Sequence, residues 1–266
     1  MKTILLLTTI VTLTLPTLFS QPATAQGRST VLTSGTMLAD AKLTVEQLIE
    51  RAESKVTAQD YQGAIKDYTL AIEMKPDKLA PIHMLRGNVH VMTNNDKLAF
   101  ADFDQAVKLA PNDAETYMVR AFFFSTTLSP EKAILDYKKA LELNPKNPEP
   151  YSWMGSIYAG QGNHGEAIKV FSQYLKMKDA EMIAPNHYND RGLSYHAIGD
   201  YQNAIVDFNQ AIKTVPLYGS SYYHRGLTYQ AMGQKQEALA DFKRTLEVEK
   251  EHPEAEEIMK KIKELQ

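Results

Sequence analysis

The chain has 266 residues, is 44% hydrophobic, and carries 29 basic against 32 acidic side chains. That length suits one large core or a continuous array, and a net charge of −3 offers no basic footprint for nucleic acid. With no cysteine, disulfides, thiolate zinc sites and a lipidated cysteine are excluded.

The first 25 residues read as a separate object. Lys2 is their only charge, residues 4–18 form an apolar, threonine-rich run, and Ala23-Thr24-Ala25 is a small-x-small site. This layout predicts a secretory signal peptide cut before Gln26, because the run is short for a membrane span and Pro16 breaks it. The expectation is export, to a periplasm first, with a thylakoid lumen or an extracellular location as alternatives. No stable membrane span is expected once the signal is gone, and losing Lys2 leaves a net charge of −4. Residues 26–43, rich in Ser, Thr and Gly, predict a flexible tether.

Thr44 with Gln47 three residues on is a capping box, and it predicts the first helix. From there one pattern recurs. Alanines at 64, 99, 133, 167, 204 and 238 are spaced by 35, 34, 34, 37 and 34 residues. Four residues after each stands a ring: Tyr68, Phe103, Tyr137, Phe171, Phe208 and Phe242. Earlier in each unit a small residue faces it: Ala52, Gly87, Ala121, Gly155, Gly192 and Gly226. Pro76, Pro111, Pro145 and Pro216 close four of the units. The fullest copy is Tyr188-Asn-Asp-Arg-Gly-Leu-Ser-Tyr195, followed by Gly199-Asp-Tyr201, Ala204, Phe208, Ala211 and Pro216. Physically this is two amphipathic helices joined by a tight Gly turn, drawn close where the side chains are small.

The pattern resembles the tetratricopeptide repeat, a helix–turn–helix unit of about 34 residues. The resemblance implies an all-α fold, a right-handed α-solenoid of six repeats over about 45–78, 80–113, 114–147, 148–181, 185–218 and 219–252. It also implies a non-enzymatic role in binding another protein or peptide. Residues 253–266 predict a capping helix with Ala255, Ile258, Met259, Ile262 and Leu265 on one apolar stripe.

Departures from the pattern carry expectations of their own. Lys55, His83 and His90 stand where rings are expected, which predicts looser packing at the N-terminal end. Extra residues around 182–184 predict a bend or a simple loop insertion. Arg51, Arg86, Arg120, Arg191 and Arg225 are each followed, sixteen residues later, by Asp67, Asp102, Asp136, Asp207 and Asp241. In the fourth unit both members change together, to Met154 and Val170, which predicts ion pairs within units.

No Gly-rich phosphate loop, Gly-x-Ser-x-Gly elbow or His-x-x-x-His spacing is present, so no cofactor, metal or catalytic residue is expected. In the family the first helix of each repeat lines the inner surface. By register the matching positions are Met84, Asn88, Met118, Phe122, Ser152, Ser156, Asn186, Asn189, Tyr223 and Leu227. None is Lys or Arg, which departs from family members that grip a terminal carboxylate. A wall of Met, Phe, Tyr, Asn and Ser suits an extended peptide or a partner helix. A small-molecule or lipid carrier is the alternative.

Overall fold

The computed structural model of the protein describes residues 43–127, 129–177 and 184–266. The expected signal, nearly all of the tether and most of the insertion before residue 184 lie outside the described residues. Thirteen helices are described and no strand. They are α1 Val45–Thr57, α2 Tyr61–Glu73, α3 Leu79–Met92, α4 Asp96–Leu109, α5 Ala114–Thr126, α6 Pro130–Leu143 and α7 Glu149–Gly160. Then follow α8 His164–Met177, α9 Pro185–Ala197, α10 Tyr201–Thr214, α11 Gly219–Ala231, α12 Lys235–Val248 and α13 Ala255–Leu265. This is the all-α fold class of helical-repeat solenoids. Two compact units divide the chain within α4, one ending at Gln105 and the other starting at Ala106.

Local chemistry sets the helix ends. Thr44 Oγ1 accepts from the Gln47 amide at 3.3 Å while Gln47 Oε1 accepts from the Thr44 amide at 3.0 Å, the capping box read from the sequence. Asp60 and Asp200 cap α2 and α10 through the Gly63 and Asn203 amides. The turn between the paired helices needs one left-handed residue. Gly162, Gly199 and Gly233 fill that role at no steric cost, whereas Gln59 and Asn94 accept it with a side chain.

In the first unit Leu48, Ala52, Ala64, Tyr68, Ala71, Ile82 and Val89 form a buried cluster. In the second, Tyr223, Ala238, Phe242 and Ile258 form another, with Ile262 and Leu265 against it. Helix α13 thus closes the last pair with its apolar stripe. Met259 is a correction to that stripe: it is 48% exposed, because it falls beside the seam that Ile258 fills.

The close approach inside each pair follows a rule. Gly87, Gly155, Gly192 and Gly226 face Phe103, Phe171, Phe208 and Phe242, and a methyl group on each glycine would lie 2.6–2.8 Å from the ring. Where the small residue is Ala52 or Ala121, the ring sixteen residues later is Tyr68 or Tyr137. Glycine goes with Phe and alanine with Tyr throughout the six pairs.

Candidate functional site

The five arginine–aspartate pairs all form, each within one helix pair. Nε and Nη2 of Arg51, Arg86, Arg120, Arg191 and Arg225 donate to the two carboxylate oxygens of their partners at 2.7–2.9 Å. Such bidentate forks fix both side chains. Rings complete the cage where they are present: Arg225 lies over Tyr222 and Tyr229 at 5.5 and 5.9 Å.

Lys55 and His83, at ring positions, each donate to the aspartate as a second partner, Lys55 to Asp67 and His83 Nδ1 to Asp102, both at 2.8 Å, while His90 Nδ1 is buried without a hydrogen-bond partner. Burial pushes the Asp67 carboxyl up, but Arg51 and Lys55 outweigh it and hold it below the ordinary carboxylate range. The ion pairs stay within one repeat, as the sequence predicts, and three of the arginines add a contact beyond it. Nη1 of Arg86 reaches Thr69 Oγ1 and Nη1 of Arg191 reaches Ser172 Oγ, both at 3.0 Å, while Arg225 reaches Asn209. The guanidinium groups of Arg86, Arg191 and Arg225 therefore tie their repeats to the helix before them.

These pairs occupy the arginines structurally and leave the binding surface to other residues. Of the sequence-derived wall, Met84 and Asn88 lie in the first unit, partly exposed. In the second unit Met118, Phe122, Ser152 and Leu227 are partly exposed, and Ser156 and Asn186 are open. Asn189 and Tyr223 are not on the surface. Asn189 Oδ1 accepts from Ser221 at 3.3 Å and lies 3.0 Å from His224 Nδ1. Tyr223 is 7% exposed and packs on Phe242 and His252. Their helix face is turned into the seam with the following element, a fact that depends on the neighbour and not on their own repeat. Two other histidines have local contacts: His187 stacks on Tyr174 at 4.2 Å and His196 Nδ1 lies 2.9 Å from Thr228 Oγ1.

A recess lies among the described residues of the second unit. A cavity of about 350 Å³ is lined by Ser156 and Ala159 of α7, His164 and Phe171 of α8, and Asp190, Leu193 and Ser194 of α9. Its origin lies in a comparison of seams. Between α5 and α7, Phe122 meets Trp153 edge to face at 5.3 Å and fills the gap. The same two register positions one repeat on are Ser156 and Asp190, and a third, Phe123 or Ile157 in earlier repeats, is Ser194. Large apolar groups give way to small polar ones, so space remains.

Asp190 is the one acidic residue among those lining the recess. Burial pushes the Asp190 carboxyl up to about 6, against a hydrogen bond from the Asn189 side chain that lowers it. Asp190, His164 and Ser194 escaped the sequence reading, which found only Ser156. The signal that exposes them is a change of residue type at three aligned positions in one pair of repeats.

A raised carboxylate costs stability, with a definite sign. The folded chain holds the Asp190 proton above the ordinary value of 3.8, so folding is favoured at low pH and weakened as pH rises through about 6. Asp190→Asn is therefore expected to stabilise the fold by about 1–3 kcal/mol at pH 8 and to change little at pH 4. Urea melts at the two pH values check this, and an equal effect at both would refute the assignment.

Family models described as TPR repeat match residues 131–162 and 192–233. Others described as tetratricopeptide repeat match 148–181 and 219–252, and 49–114, so that together they span well over half of the chain. Tetratricopeptide repeat protein 6 of Homo sapiens is 26% identical over 167 residues, 62% of this chain and 31% of that protein. The chain spans about a third of that relative's length. Among solved structures, a tetratricopeptide repeat protein from Parabacteroides merdae is similar with a TM-score of 0.63 at 20% identity, over 83% of this chain and 91% of that one. YrrB, described as a TPR protein with an unusual peptide-binding site, has a TM-score of 0.61 at 18% identity, over 73% and 97%. MamA has a TM-score of 0.58 at 24% identity, over 63% and 96%. At these identities the likeness is one of fold.

Proposed function

We propose that this chain, which belongs to the tetratricopeptide repeat family, is a non-enzymatic scaffold that binds an extended peptide or partner helix on the first helices of its repeats. The observation that carries the reading is the break in the seam at Ser156 and Asp190, where a recess opens on first helices that also carry the partly exposed Phe122 and Ser152 at their own register positions. Peptide grooves combine such pockets for single side chains with a run of adaptable contacts. The peptide site named for YrrB belongs to that protein and supports this reading by analogy. A carrier of small molecules has less support, since the recess places a carboxylate where an apolar cargo would sit. The apolar run at 4–18 and the Ala23-Thr24-Ala25 site favour an exported setting, with the partner outside the cytoplasm. Among the described residues no helix is long and apolar enough to cross a membrane.

A photo-crosslinking residue at Met118 is expected to capture a partner protein, and one at Leu135 is not. Leu135 is 66% and Val206 61% exposed on second helices, so capture from 135 alone would move the site there. Phe122→Ala separates binding from packing. The ring is half-buried, so its loss is expected to weaken a bound partner by about 1–3 kcal/mol. Folding should lose about 1–2 kcal/mol, less than a fully buried Phe costs. Calorimetric titration beside thermal melting measures both, and a stability loss with unchanged affinity would remove Phe122 from the site.

A further inference from the structure

The recess between α7, α8 and α9 has a chemistry that selects its occupant. Ser156 Oγ donates to the Ser152 carbonyl at 3.4 Å, and Ser194 Oγ donates to the Asp190 carbonyl at 3.1 Å. Both hydroxyl protons are spent within their own helices, so each oxygen has only lone pairs left to offer. Asp190 adds a carboxylate. His164 Nδ1 is buried and has no hydrogen-bond partner. The polar groups around the space therefore include several acceptors and an imidazole nitrogen with an unused capacity.

The carboxylate also stands apart from the others in the fold. Asp67, Asp102, Asp136, Asp207 and Asp241 are buried and each is held by an arginine. Asp190 has no ion pair among the described residues, although its neighbour Arg191 is fully engaged with Asp207 and Ser172. A largely desolvated carboxylate without a cation is poorly compensated, and a cation brought from outside would relieve it. Side chains that carry several donors and no acceptor are those of arginine and lysine. The partly exposed Ala159 and Leu193 line the apolar part of the space, with the fully buried Phe171 behind them, which suits the aliphatic stem of such a side chain.

We propose that this recess is the specificity pocket for one cationic side chain, arginine or lysine, of the bound peptide, with its charge on Asp190 and its stem against Ala159 and Leu193. The pocket rests on the peptide-binding reading given above and adds to it a required residue. At the matching positions of the seam between α5 and α7, Phe122 and Trp153 meet edge to face and neither is acidic, so the requirement is for one cation at one place in the peptide.

The test uses the purified full chain and a phage-displayed library of random peptides about 12 residues long, a length that extends across several repeats. Peptides selected on the wild type are expected to share Arg or Lys at a single fixed position. Replacing that Arg by citrulline, or that Lys by norleucine, should weaken binding about ten-fold to the wild type and less than about two-fold to D190N, as measured by calorimetric titration. Ser156→Phe, which restores the ring of the preceding seam, should abolish selection of the cation while the protein still melts cooperatively. Preference for Arg over Lys would show that the serine and histidine acceptors are used as well as the carboxylate, and supports the pocket. Selected peptides with no fixed cation, or a cation whose removal costs the same on D190N as on the wild type, would overturn the pocket and leave peptide binding intact. A library that yields no binder at all would overturn both.

Discussion

Replacing Arg191 by Met is expected to cost about 3 kcal/mol of folding stability, and adding Asp207→Val should return most of it. Asp207 is 2% exposed, and its two oxygens each receive one guanidinium hydrogen bond at 2.7–2.8 Å. Removing the arginine leaves that carboxylate desolvated and unpaired, which costs more than the lost pair was worth. The single variant also gives up the 3.0 Å bond to Ser172 and the stacking of Arg191 on Tyr195 at 5.8 Å. The double variant copies what the fourth repeat already does: Met154 is 2% exposed, and with Val170 it fills the same space without charge. Urea titrations of the wild type, both single variants and the double variant give the coupling directly. Additive single effects would show that the pair contributes nothing as a pair.

The second large effect is expected at the interface of small residue and ring. Gly192→Ala places a methyl 2.8 Å from the Phe208 ring, with no flexible side-chain end there to move aside. Overpacking of this kind costs about 1–3 kcal/mol, and the upper end applies because Phe208 is fully buried. The alanine–tyrosine pairing of the first and third repeats supplies the rescue. A tyrosine, lengthened by its hydroxyl, seats its ring differently from phenylalanine and so can leave room for the methyl. Gly192→Ala with Phe208→Tyr is therefore expected to be more stable than Gly192→Ala alone. If Phe208→Tyr destabilises both backgrounds equally, the pairing rule is a coincidence of six repeats.

Much of this was legible in the sequence because it is periodic. The helix pairs, the capping box at Thr44 and the arginine–aspartate partners all follow from offsets that recur, and a recurrence averages out the context of any one repeat. What failed was whatever depends on the adjoining element. Asn189 and Tyr223 sit at register positions that are partly exposed in other repeats, yet here the next helix and the loop carrying His252 cover them. Lys55 and His83 looked like missing rings and are extra partners for carboxylates, since nothing in their own helix announces a carboxylate across the pair. The recess at Asp190 was invisible for a related reason. A cavity is created by the side chains that are missing on both sides of a seam, and no single repeat displays that.

Both couplings span the same sixteen residues, Arg to Asp and Gly to Phe, one register position apart. Each is complete inside one helix pair. Across the repeat boundary the guanidinium asks for much less, and Thr69, Ser172 and Asn209 all satisfy it by presenting an oxygen. A gene segment one repeat long can therefore be duplicated, lost or exchanged with both stringent matches intact, while the joint it makes with its new neighbour has only to offer an acceptor. A crossover between the two helices of a pair enjoys no such tolerance, because it separates each arginine and each glycine from the partner it was matched to. On this chemistry, whole repeats are the units in which such a chain lengthens, and substitutions at the seams, such as those that made the recess at Asp190, are how it acquires something new to bind.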